Sequence, residues 1–309
     1  MVQENSLTDK ILVVCGPTAS GKTALAVDIA RKYNGEVISA DSVSIYKNLN
    51  IGSAKPTKDE MQGIPHYMID IVEENAGFSV SDYESKALPI IYDIISRHKL
   101  PIVCGGTGFY INSILYKMSY GNAKGDDGIR DKYRALALKS GNRAVWDELN
   151  MIDSKTAAKL HYNDSVRVIR ALEIFYSTGV KKSQIIDELN PRFDAFVIMP
   201  EIERSVLYDR INARVDDMIN RGLPDEVQGL INSGITIDNQ CMQGIGYKEI
   251  YTARQNGEDV PIDEIKRNSR RYAKRQLTFF KRLNPYLFNP LTDKSKIDLY
   301  NNIEIFLNT

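Results

Sequence analysis

Metal-binding residues are scarce in this sequence, which has three histidines and three cysteines among its 309 residues. His66, His98 and His161 stand apart, and none shares ligand spacing with another. Cys15, Cys104 and Cys241 are odd in number and widely separated, so they form neither a disulfide framework nor a CxxC zinc site. Cys15 and Cys104 close apolar runs and are expected as buried thiols. No apolar run approaches the roughly 20 residues that span a bilayer. The opening MVQENSLTDK is polar and has no signal-peptide core. A cytoplasmic chain with no membrane partner is therefore expected. The formal net charge is zero, so an argument for a nucleic-acid partner has to rest on local charge. No Ser-His-Asp or Cys-His constellation, internal repeat or low-complexity tract is evident.

The balance of 43% hydrophobic and 26% charged residues is that of an ordinary globular protein, long enough for one large domain or two smaller ones. ILVVC (11–15) reads as a buried parallel strand, followed by a glycine-rich turn and the helical spacing of KTALAVDIARKY. EVISADS reads as a second strand ending at Asp41. A long helix is expected over 80–99, with Pro89 a candidate kink. PIVC (101–104) is a third strand running into GGTGFY. Alternating strands and helices indicate an α/β fold with a parallel sheet. From Ile129 to Leu189 the pattern is helical, and the strand signal returns with FVIMP (196–200). The expectation is a core of 1–117 and 193–309 interrupted by a helical insertion domain at 118–192.

GPTASGKT, Gly16 to Thr23, fits G-x-x-x-x-G-K-[ST] without mismatch. Gly16 and Gly21 let consecutive N–H groups face an anion, and the following helix adds its positive end. Lys22 supplies a point charge and Thr23 a hydroxyl suited to Mg2+. The usual occupant is ATP or GTP. PIVC, however, ends in Gly105 and Gly106 rather than in the acid an ATPase places at a strand end. The available acid is Asp41, either a metal or proton acceptor or simply a turn residue. Thr107 in GGTG is placed to donate to a diphosphate or to Asp41, or merely to shape a tight turn. Arg210, Arg214 and Arg221 share one helix face, which is either solvated and paired with Asp209, Asp216 and Asp217 or sends one Arg to the phosphates. The segment 266–282 holds eight Lys or Arg and no acid. Its apolar stripe follows Ile265, Tyr272, Gln276, Phe279 and Leu283, and Arg267, Arg271, Arg275 and Arg282 fall on a basic side suited to a phosphate backbone.

The sequence resembles the tRNA dimethylallyltransferases, or tRNA isopentenyltransferases. The matching elements are GPTASGKT, ISADSVSIYKNLNIGSAKP, VCGGTGFY, HYNDSVRVIRALEIF, RVDDMINRGLPDEV, GIGYKEI and RRYAKRQLTFFKR, in family order over most of the chain. The resemblance implies a P-loop NTPase-like parallel sheet core with a helical insertion domain. It further implies transfer of a dimethylallyl group from dimethylallyl diphosphate to N6 of the adenine next to the anticodon in tRNA. By position, Gly16, Pro17, Thr18, Ala19, Ser20, Gly21, Lys22 and Thr23 would hold the diphosphate, with Mg2+ on Thr23. Asp41 would be the base that accepts the N6 proton, and Arg214 and Thr107 would support the diphosphate. Asp41, Ser42, Val43, Ser44 and Thr107 would approach the tRNA, as would Arg130, Val166, Arg167, Val168, Ile169 and Arg170 of the insertion. Gln243, Gly244, Ile245, Gly246, Tyr247 and Lys248 would also do so, together with Lys274, Arg275, Gln276, Leu277, Thr278, Phe279, Phe280 and Lys281. A monomer is expected. The rivals are an enzyme prenylating free AMP, ADP or ATP, a P-loop kinase or NTPase, and a non-catalytic RNA-binding protein. The first is disfavoured by the insertion and the basic segment, and the second by the glycines after PIVC.

Overall fold

The computed structural model describes residues 9–120, 125–185 and 190–309. The end of the expected helical pattern, at 186–189, lies outside the described residues. Two compact units emerge, Met1–Tyr116 with Pro191–Thr309, and Lys117–Asn190.

The first unit is built on β1 (Lys10–Cys15), β2 (Gly35–Ser39), β3 (His66–Tyr67), β4 (Leu100–Gly105), β5 (Asp194–Pro200) and β6 (Tyr286–Phe288). They form one sheet in the order β3-β2-β4-β1-β5-β6, every pairing parallel. ILVVC, PIVC and FVIMP are three of its four interior strands, and EVISA supplies the fourth. Alternation along β1 feeds two cores. Ile11, Val13 and Cys15 face one core with Tyr83, Ile91 and Ile111, while Leu12 and Val14 face another with Leu25, Ile29, Leu299 and Ile303. The helices α1 (Lys22–Lys32), α2 (Lys58–Met61), α3 (Val80–Ser96) and α4 (Gly108–Leu115) belong to the first half of this unit. α3 begins at a capping box between Ser79 and Asp82 and continues through Pro89. It stops at Ser96, short of the expected residue 99.

The second unit contains α5 (Asp127–Ile152), α6 (Ser154–Ala157) and α7 (Ser165–Thr178). α5 is broken at Gly141, whose φ of 82° and ψ of 159° are non-helical and suit a residue without Cβ. Tyr133, Val145, Leu149, Val168 and Leu172 form its core. The Trp146 indole N–H donates to the carbonyls of Ala157 (3.1 Å) and Leu160 (2.9 Å), which ties α5 to the end of α6 and the segment after it. The chain then returns to the first unit through α8 (Arg204–Asn220), α9 (Leu223–Asn232), α10 (Tyr247–Asn256), α11 (Ile262–Phe280) and α12 (Asp293–Asn308).

Candidate active site

The glycine-rich loop joins β1 to α1, so its amides lie at the carboxyl edge of the parallel sheet, where ligands of such sheets bind. Gly16 (φ 148°) and Gly21 (φ 82°) occupy backbone regions that disfavour side chains, and Ala19 joins them at φ 61°. Lys22 Nζ donates to the Pro17 carbonyl at 3.2 Å, folding the ammonium back over the loop. Loss of solvent lowers the Lys22 pKa, and the nearby Arg214 charge acts in the same direction.

A cavity of about 720 Å³ opens above the loop, and Lys22, Thr23, Asp41 and Arg214 all line it. Arg214 comes from α8. Its Nε is buried with no hydrogen-bond partner. Burial lowers its pKa, while the charges of Asp41 and Glu60 oppose the shift. A buried guanidinium N–H without an acceptor fits an anion in the cavity. Its two helical neighbours differ. Arg210 does not line the cavity, and Arg221 does but is paired with Asp217 at 3.5 Å.

Asp41 lies just beyond β2. Its Oδ1 accepts from the amides of Val43 (2.9 Å) and Ser44 (3.1 Å), so the carboxylate is a turn residue. Its Oδ2 has no protein partner among the described residues and remains an acceptor on the cavity. The turn role therefore occupies one of the two oxygens. Thr107 makes the contacts that the turn-shaping one of its two expected roles requires. Its Oγ1 accepts from the Ser42 amide at 3.0 Å and donates to Ser42 Oγ at 3.2 Å, and its side chain also meets that of Tyr272, which lines the cavity. Thr107 fixes the turn that carries Asp41.

Gln276, expected to approach the tRNA, lines the cavity and also holds its loops. Only 6% exposed, it bridges two loops from α11. Its Oε1 accepts from the Thr18 amide at 3.1 Å and its Nε2 donates to the Gly106 carbonyl at 2.9 Å. The Thr18 amide, expected on the diphosphate, is thus already engaged by Gln276. A polar residue in the apolar stripe of 266–282 was the available signal. Sequence reasoning also missed Glu226 of α9. It accepts from the amides of Asn50 (2.9 Å), Ile51 (2.8 Å) and Gly52 (3.3 Å) and from the Tyr247 hydroxyl (2.6 Å). It thereby fixes the segment whose Gly52, Ser53 and Lys55 line the cavity.

The remaining expected tRNA residues divide by side-chain direction. Val43, Ser44, Gln243, Gly244, Ile245 and Gly246 line the cavity. Tyr247 and Phe280 are wholly buried, and Val168 and Ile169 pack in the core of the second unit, so these four side chains face inward. Lys248 is exposed outside the cavity. Val166 is exposed, and Arg167 is exposed and paired with Asp164 at 3.3 Å. Arg130 and Arg170 both pair with Glu173, a wholly buried carboxylate that also accepts from the Asp126 amide at 2.7 Å. Burial pushes the Glu173 pKa up, but Arg170, the Asp126 amide and the Arg130 charge outweigh it and hold it below the usual carboxylate value.

The cations of 266–282 divide as well. Lys266 pairs with Asp216 at 2.6 Å and Arg267 with Glu264 at 3.2 Å, and Arg270 donates to Asn212. Arg271, Lys274, Arg275, Lys281 and Arg282 are exposed and have no carboxylate partner among the described residues.

No cluster of three or more His, Cys, Asp or Glu that could hold a metal occurs among the described residues. Burial pushes the Cys15 thiol up to about 12 and the Cys104 thiol to about 11, which keeps both unreactive near neutral pH. No described helix is long and apolar enough to cross a membrane.

A family profile described as IPP transferase matches residues 44–283. The chain is 47% identical over 279 residues to a tRNA dimethylallyltransferase of a Thermoanaerobacter species, covering 88% of this chain and 89% of that one. The solved tRNA isopentenylpyrophosphate transferase of Bacillus halodurans superposes with a TM-score of 0.73 at 41% identity over 97% of each chain. A eukaryotic dimethylallyltransferase acting on tRNA superposes with a TM-score of 0.79 at 30% identity, over 94% of this chain and 76% of that one.

Proposed function

The chain belongs to the IPP transferase family of tRNA dimethylallyltransferases, and we propose that it moves a dimethylallyl group from dimethylallyl diphosphate to N6 of the adenine 3′-adjacent to the anticodon. The observation that carries this reading is a single cavity that presents Lys22, Thr23 and the unpartnered Arg214 beside the free oxygen of Asp41.

Adenine N6 is a weak nucleophile because its lone pair is drawn into the ring. As the N6–C bond forms, the allylic C–O bond breaks, and the diphosphate leaves with the electron pair. Asp41 Oδ2 takes the N6 proton, while its Oδ1 stays fixed by the Val43 and Ser44 amides. Loop amides, Lys22 and Arg214 meet the growing charge on the leaving group. Thr18 contributes through its side chain or by position, since its amide is held by Gln276. The adenine has to leave its stack to reach the cavity, as for other base-modifying enzymes.

Mg2+ fits this site. Thr23 offers a hydroxyl on the cavity wall, and Mg2+ commonly takes one or two protein ligands and completes its shell with substrate phosphates and water. When bound, it would neutralise diphosphate charge. The reading includes a monomer working in the cytoplasm.

Labelled dimethylallyl diphosphate offered with tRNA or with AMP provides the test. The expected result is label in tRNA only. Label in AMP only would move the chain to the free-nucleotide enzymes, and ATP hydrolysis with label in neither would favour a P-loop NTPase.

A further inference from the structure

Phe109, the second residue of α4, exposes 63% of its surface. Burying a ring of this size is favourable, so an exposed Phe that belongs to an aromatic pair is informative. It is not isolated. Its ring meets that of Phe279 edge-on, with centroids 5.6 Å apart and planes inclined at 61°. Phe279 lies so close over Gly108 that a Cβ there would overlap the ring. Glycine therefore allows the approach that places the two rings together.

Phe279 also walls a hollow of about 270 Å³, shared with Lys274, Arg275, Thr278 and Arg282. Lys274, Arg275 and Arg282 are among the cations with no carboxylate partner in the described residues. Arg275 lines both this hollow and the cavity that holds Asp41. An aromatic pair with one ring in a hollow shared with cations is the chemistry that binds single-stranded nucleic acid, with bases on the rings and phosphates on the charges.

Resting on the functional reading above, we propose that Phe109 and Phe279 form a stacking subsite for the unpaired nucleotide flanking the target adenine. Lys274, Arg275 and Arg282 hold its backbone. Arg275 joins this subsite to the reaction cavity, so a flanking base held on the rings keeps the target adenine displaced toward Asp41. Nothing in the sequence marked Phe109 for this role, because GGTGFY reads as a strand-to-helix turn.

The test uses the full chain and a tRNA carrying 2-aminopurine at the nucleotide beside the target adenine. Wild type should change the 2-aminopurine fluorescence on binding, and Phe109→Ala should abolish most of that change. Phe109→Ala should also raise the KM for tRNA about tenfold, the lower part of the range for one lost base–aromatic stack, with the loss in KM rather than kcat. Phe109→Trp should restore both signals, which a merely structural role would not predict. Unaltered fluorescence and KM in Phe109→Ala would overturn the subsite. So would weaker binding of dimethylallyl diphosphate in that variant, or a wild-type dimer that Phe109→Ala dissociates, since Phe109 would then serve the core or a protein partner. A wild-type fluorescence change without any transfer of label would keep the subsite and remove the prenyl-transfer reading, so the two failures are distinguishable.

Discussion

Two arginine-rich regions of this protein look alike in sequence and differ in what their charges do. In the second unit Arg130, Arg134, Arg143, Arg167 and Arg170 each have a carboxylate partner within the unit. In the C-terminal half of α11 and just beyond it, Arg271, Lys274, Arg275, Lys281 and Arg282 have none among the described residues. Paired charge holds structure and is largely neutralised at short range. Unpaired, exposed charge keeps its field for a polyanion. Proximity to arginine is thus a poor guide to RNA contact unless the partner of each arginine is known. Arg167 is the intermediate case, because its pair with Asp164 is exposed and readily exchanged.

The largest effect expected from this contrast is on stability. Glu173→Ala should cost about 3–5 kcal/mol, because it leaves Arg130 and Arg170 without the buried carboxylate they share. Urea unfolding followed by the fluorescence of Trp146, which lies in the same unit, measures it. A loss within error would mean that these arginines are free for other work. In α11 the expected effect is on binding. Lys274→Ala with Arg282→Ala should weaken tRNA binding about tenfold and reduce its slope against log salt by about 1.4, from roughly 0.7 per single-strand phosphate contact. The melting temperature should stay near that of wild type. An unchanged salt slope would place these cations away from the RNA.

Acid distinguishes the two regions again. The Glu173 carboxyl is held below its ordinary value of 4.5 in the folded chain. Its stabilisation is therefore complete above that value and is lost as pH falls through the lower folded value. Acid unfolding of wild type and Glu173→Gln should converge at low pH, and parallel curves would contradict the assignment. The smallest effect is expected at Arg134→Ala. This removes one exposed i,i+3 pair with Asp131 and should change stability by no more than about 0.5 kcal/mol, with tRNA affinity unaltered.

Much of the fold was legible because its signals are local. ILVVC, PIVC and FVIMP are short apolar runs next to turn residues, and each is an interior strand. β3 and β6 were not legible. They span two and three residues at the sheet edges, and pairing with β2 and β5 rather than their own pattern makes them strands. Within the cavity, the glycine-rich loop and Asp41 were readable as lining groups from motif and strand end. Gln276 and Glu226 were not, because their partners lie far away in sequence and only the fold brings the loops to them. Val168, Ile169, Tyr247 and Phe280 show the limit of assigning a function to a continuous segment. Helical periodicity turns these side chains into the core while their neighbours face out.

The central claim is that the cavity above the phosphate loop transfers a prenyl group with Asp41 as the base. Single-turnover transfer to tRNA by Asp41→Asn, with binding of dimethylallyl diphosphate measured on the same preparation, tests it most directly. Loss of a general base of this kind is expected to slow transfer by about 10²–10⁴-fold, while donor affinity stays within about twofold, inside the factor of five to thirty that one or two kcal/mol represents. Transfer at the wild-type rate would contradict the assignment of Asp41.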